Sequence, residues 1–134
     1  MGLFWDTNQV ICDVLEVRDQ YMHLRVRCTV TQQVFLATFV YHVYNVSRRR
    51  NLWEYLTLLG ASITLPWIVL GDFNCFLFPQ DKRGGQALTA YLFHDLQEFM
   101  MATSLVDASS SGSFYTWTNG SIWSKLDRVL MNFV

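Results

Sequence analysis

Apolar and polar residues alternate with period two through much of the first third of the chain, the pattern of half-buried strands. Residues 20–28 are the clearest case: Tyr21, His23, Arg25 and Arg27 share one face, and Met22, Leu24, Val26 and Cys28 the other. Residues 9–17, rich in β-branched and apolar side chains, predict a strand before it. Over 34–41 the alternation gives way to a nearly continuous apolar run, which suits a strand covered on both faces. The period then changes. Leu52, Tyr55, Leu56 and Leu59 recur at helical spacing and predict a helix over 48–59, with Ser47 as its N-cap and Gly60 as its stop. Pro66 opens a short apolar run that ends at Gly71-Asp72, a central strand delivering Asp72 at its C-terminal end. Residues 86–103 predict a second helix with Leu88, Leu92, Leu96 and Phe99 on one face. Strands return at 113–117 and 123–131, joined by a turn at Asn119-Gly120.

This order of elements predicts a mixed α/β (α+β) layered fold. At 134 residues the chain has room for one domain. Hydrophobic residues are 51% and charged residues 16%, which excludes disorder, and 16% aromatics favour sheet packing. Ten basic against 11 acidic residues exclude a module that grips nucleic acid by bulk charge, while leaving room for a local basic patch. Cys12, Cys28 and Cys75 are odd in number and lack CxxC spacing. That argues against a disulfide framework or zinc site and for a reducing intracellular setting, nuclear or cytoplasmic. No apolar run approaches the roughly 20 residues that cross a bilayer. The first residues lack the basic n-region of a signal peptide.

Candidate chemistry gathers in a few segments. Gly71-Asp72-Phe73-Asn74 ends a buried strand, at the rim where α/β sites lie. On extended backbone Asp72 and Asn74 point the same way, an acid to accept a proton from water beside an amide to hold a phosphate oxygen. The alternative is a strand-end turn whose side chains bond local backbone. In 126–131, Asp127 alternates with Val129 and Met131, and an acid on an apolar face is buried and needs a partner. It either orients a histidine or pairs at the surface with Lys125 or Arg128. Tyr41 ends the buried strand, where its phenol either donates to phosphate or only packs. Lys82 and Arg83, in a loop with Gly84 and Gly85, grip phosphate or form an ordinary turn. Arg48, Arg49 and Arg50 read as a solvated face. His23, His42 and His94 have no metal-ligand spacing.

An ordered series of segments resembles the endonuclease/exonuclease/phosphatase superfamily, and within it the apurinic-endonuclease-like domain of plant LINE-type retrotransposons. The series runs from Phe39-Val40-Tyr41 through Arg49-Arg50-Asn51-Leu52-Trp53 to 66–74, with its Gly71-Asp72-Phe73-Asn74. It continues with Asp81-Lys82-Arg83-Gly84-Gly85, Leu105-Val106-Asp107, 114–119 and 124–132, covering roughly residues 35–134. The resemblance implies a DNase I-like two-sheet sandwich flanked by helices. It implies hydrolysis of DNA phosphodiesters with Mg²⁺ or Mn²⁺, and hence DNA as partner. Asp72 would position or deprotonate the attacking water, Asn74 and Tyr41 would contact the scissile phosphate, and Asp127 would orient a histidine. Lys82 and Arg83 would add phosphate contacts, and Asp72 and Asn74 would take part in the metal site. The family's early strands with a metal-binding Asn and Glu, and its Ser-Asp-His segment, have no counterpart here. Residues 1–134 are therefore expected to be the middle portion of the domain, inactive alone and prone to associate through exposed strand edges. The alternatives are a phosphodiesterase completed by sequence outside this chain, and a non-catalytic binding or scaffold remnant.

Overall fold

A meander of three strands starts the fold, in a computed structural model that describes residues 3–41, 46–85, 91–108 and 113–132. β1 (Val10–Val17), β2 (Tyr21–Cys28) and β3 (Val34–Val40) are antiparallel, with Cys12 opposite Val26 and Leu24 opposite Ala37. α1 (Val46–Ala61) crosses over, as a parallel neighbour requires, so that β4 (Trp67–Asp72) runs parallel to β3 with Thr38 beside Val69. β5 (Lys82–Arg83), α2 (Tyr91–Thr103) and β6 (Val106–Asp107) come next, then β7 (Trp117–Thr118), β8 (Trp123–Ser124) and β9 (Asp127–Met131). The main sheet has the order β1-β2-β3-β4-β9-β6, and a small second sheet the order β5-β8-β7. The fold is the mixed α/β arrangement that the order of elements predicts, with two sheets and two helices among the described residues.

Both helices cover one face of the main sheet. Thr38, Val69 and Leu130 lie in register on that face and are wholly buried. Leu52, Trp53 and Leu56 of α1 and Leu96 and Phe99 of α2 close over them, with the Trp53 ring stacked at 5.0 Å on Phe99 and 5.7 Å on Phe73. Within this core the Thr38 hydroxyl lies 2.7 Å from His23 Nδ1 and accepts the Trp67 indole N–H at 2.8 Å. The opposite face is apolar too. Leu24, Val26 and Ala37 are buried there beneath Leu3 and neighbouring side chains. The same face continues through Ile68 and Leu70 to Val129, which is 38% exposed.

Several local expectations change. α1 begins before Ser47, which is therefore helical and not the N-cap, and it passes through Gly60 to Ala61. Gly60 permits a close approach: a Cβ there would stand 2.9 Å from the Trp67 ring. Tyr55 faces out under the Arg18 guanidinium, because Trp53 takes the inward position beside Leu52 and Leu56. Residues 113–116 are not a strand; pairing starts at Trp117. The single strand expected over 123–131 is two, because Ser124 pairs in the small sheet and Asp127 in the main one. Leu88, His42 and residues 109–112 lie outside the described residues, as does the side chain of Leu92. Among the described residues no helix is long and apolar enough to cross a membrane.

Candidate functional site

β3 and β4 run in parallel and end at one rim of the main sheet, and antiparallel β9 begins there. Asp72, the last residue of β4, is the register partner of Asp127, the first of β9. Directly paired residues on antiparallel strands have Cβ atoms about 4.5–5.5 Å apart. Asp127 lies on the face away from the helices, two residues from Val129 in alternation, whereas Gly71 interrupts the alternation just before Asp72. Gly71 is what lets the strand turn here: its φ is +133°, and a Cβ would fall 2.0 Å from the Val40 carbonyl oxygen.

Asp72 Oδ1 accepts the Asn74 backbone N–H at 2.8 Å, and Asn74 sits in the left-handed region at φ +46°. The backbone therefore leaves the extended conformation, and Asp72 and Asn74 do not share a strand face; the local turn that these residues also allowed is the one formed. Pairing with the β9 side continues through the Phe73 N–H, which donates to the Leu126 carbonyl at 3.0 Å. Asp127 is exposed, not buried as its apolar neighbours in alternation suggested. Among the described residues its carboxylate makes no hydrogen bond or ion pair, and it pairs with neither Lys125 nor Arg128. Its backbone N–H is held at 3.2 Å by the Thr116 hydroxyl.

The buried charge on β9 is Arg128. Its guanidinium contacts Asp81 through Nη2 and donates from Nη1 to Asp107 Oδ2 at 2.7 Å. Asp81 Oδ2 also accepts the backbone N–H groups of Leu77 and Phe78, at 2.8 and 2.9 Å. Lys125 Nζ lies 3.8 Å from Asp107 Oδ2. Buried charges persist when paired and hydrogen-bonded, and here two carboxylates and two cations share one cluster. A signal for it stood in the sequence: Arg128 is flanked in alternation by Leu126 and Leu130, and a cation on an apolar face needs an anion.

A cleft of about 580 Å³ beside this rim is lined by Gly71, Phe114, Thr116, Lys125, Asp127 and Val129, among others. Asp72, Asn74 and Tyr41 are not on its walls. Arg128 also lines it, and Lys125 Nζ lies 4.8 Å from the Phe114 ring centroid. Lys82 and Arg83 belong to β5 in the small sheet, where Arg83 lies over the Trp123 ring at 5.4 Å. Tyr41 comes directly after Val40, the neighbour of Gly71, and so reaches the rim. Its hydroxyl donates to the Arg18 carbonyl in the β1–β2 turn. Burial, then the charge of Asp19, pushes its phenol above the ordinary value. His23 is held in the core and His94 pairs with Glu98 at 2.9 Å, so neither serves Asp127. Among the described residues no three His, Cys, Asp or Glu side chains converge as a metal cluster.

A model of the Endonuclease/Exonuclease/phosphatase family matches residues 9–132. No curated protein matches the chain. Among solved structures, the endonuclease domain of TRAS1, a telomere-specific non-LTR retrotransposon, is similar with a TM-score of 0.58 at 12% identity, over 94% of this chain and 57% of that one. The catalytic domain of human Nocturnin with bound sulfate gives 0.52 at 15%, over 93% and 49%. The mannosyl-6-phosphatase of Bacteroides thetaiotaomicron gives 0.50 at 17%, over 96% and 55%. The likeness is one of fold, and the chain spans about half the length of these structures.

Proposed function

Because the chain belongs to the endonuclease/exonuclease/phosphatase family, we propose that it is part of an endonuclease-like domain of LINE-type retrotransposon origin, from a plant element, whose chemistry is hydrolysis of DNA phosphodiesters. The observation that carries this reading is the in-register opposition of Asp72 and Asp127 at one sheet rim. A carboxylate is a hard oxygen donor, and Mg²⁺ or Mn²⁺ is commonly held by one or two carboxylates with water and substrate phosphate completing the shell. The donor set fits an ion held in that way, with Asp72 as principal ligand and Asn74 beside it. Such an ion, when bound, neutralises charge on the phosphate and on the leaving oxygen.

The chain's own residues do the rest. Asp72, fixed by its bond to the Asn74 N–H, takes the proton of the attacking water. The Asn74 amide holds a phosphate oxygen. Asp127 orients an imidazole, which among the described residues neither His23 nor His94 provides. Lys82 and Arg83, in the small sheet, add phosphate contacts. Tyr41 contributes only if its bond to the Arg18 carbonyl exchanges. The compartment is one that holds DNA, the nucleus or the cytoplasm.

Paramagnetic broadening tests the reading. Mn²⁺ added with a short DNA duplex is expected to broaden the Asp72 and Asp127 amides first, and Asp72→Ala to abolish the effect. Broadening elsewhere, or none, refutes it. DNA binding without Mn²⁺ at this rim would favour the non-catalytic binding remnant instead.

A further inference from the structure

We propose that Arg128 and Asp81 are positioning residues: their buried pair holds Asp72 and Asp127 in opposition, an inference that rests on the hydrolytic reading of that rim. Like charges directly opposite on paired strands repel, and here they stand at the last register position of the β4–β9 ladder, where a ladder opens most readily. Something must keep this end from splaying.

The ion pair is built for that. Arg128 is one residue inward from Asp127 and in register with Gly71, the residue before Asp72. On the helix-covered face its guanidinium reaches Asp81, in the short 3₁₀ turn Pro79–Asp81 on the chain that leaves Asp72, and Asp107 of β6 on the other flank of β9. Asp81 in turn gathers the N–H groups of Leu77 and Phe78, which fixes that departing chain. The Asp81 carbonyl accepts the Lys125 N–H at 2.8 Å, which ties the same turn to the approach to Asp127. One guanidinium thus links the chain leaving Asp72 to β9, which carries it, and to β6 on the far flank. A buried ion pair adds little to stability over a well-packed apolar substitute, and its best-attested use is to specify register. Arg128 also leaves Nε without a partner among the described residues, a cost that packing alone does not explain.

Hydrogen exchange of the Phe73 amide, which donates across this end of the ladder, reads the opposition without metal or DNA. Arg128→Lys keeps the charge and loses the fork; Asp81→Asn keeps an acceptor for the Leu77 and Phe78 amides and loses the charge. Each is expected to speed Phe73 exchange about fivefold, the upper end of a cross-strand like-charge penalty, with mid-ladder amides of β4 and β9 unchanged. The decisive arm is relief. If the clamp works against carboxylate repulsion, Arg128→Lys combined with Asp127→Asn restores Phe73 protection. A merely structural pair gives no such recovery. Unchanged exchange, loss without recovery in the double variant, or global unfolding of both single variants would each overturn the proposal. Failure of Mn²⁺ to find the rim would strike the hydrolytic reading and leave this exchange result to stand or fall on its own measurement.

Discussion

Thr38→Val probes the part of the core that holds β2, β3 and β4 together beneath the rim. Thr38 is wholly buried, and its hydroxyl serves two partners, His23 Nδ1 at 2.7 Å and the Trp67 indole N–H at 2.8 Å. Valine fills the same volume and removes the oxygen. Trp67 is 2% and His23 3% exposed, so solvent has little access to replace it. Each buried polar group left without a partner costs about 1–3 kcal/mol. Two such groups, less the gain from burying a methyl and allowing for rotation of the His23 ring, give a loss of about 3 kcal/mol. For a domain of this size that lowers the melting temperature by about 10–15 °C. Thr38→Ser is the control: it keeps the hydroxyl and deletes one methyl, at about 1 kcal/mol. Urea titration followed by tryptophan fluorescence compares the two variants. If Thr38→Val proves as stable as Thr38→Ser, the hydroxyl is not what organises this layer and the reasoning fails.

Burial holds the His23 imidazole below its ordinary value of 6.5, so the unfolded chain takes the proton first. Stability is then fully present above pH 6.5 and declines as pH falls from there towards the folded value; a urea midpoint that stays flat across that window refutes this. The chain is expected not to nick supercoiled plasmid in Mg²⁺ above background, because among the described residues Asp127 has no imidazole beside it and stabilisation of the transition state is incomplete; nicking that disappears in Asp72→Ala would reverse that conclusion. The second apolar face, running from Leu24 to Val129, is expected to drive self-association, and a single sharp monomer boundary in sedimentation velocity, with a cooperative melt, would count against it. Gly71→Ala is expected to lose folded protein outright, since a Cβ 2.0 Å from the Val40 carbonyl cannot be accommodated and φ +133° suits glycine alone; a near-normal melting temperature would show that the β3–β4 rim can rearrange.

Periodicity in the sequence determined the strands 10–17, 21–28 and 34–40, both helices and the strand that ends at Asp72, because side-chain alternation and helical spacing are local properties of the backbone. The same alternation separated the two faces of β9, Asp127 with Val129 and Arg128 with Leu130, but it carried no information on which face the helices would cover. Tertiary structure decided that. α1 and α2 close over the Val69–Leu130 face, so Arg128 is buried with Asp81 and Asp107, and Asp127 is left exposed. It also split residues 123–131 between two sheets, since hydrogen-bond partners far along the chain, β4 for Asp127 and β5 for Ser124, pull the segment in two directions. The motif Gly71-Asp72-Phe73-Asn74 was legible as a candidate site from residue types alone. The register pairing of Asp72 with Asp127 was not, because register between distant strands is set by long-range packing and not by any local pattern.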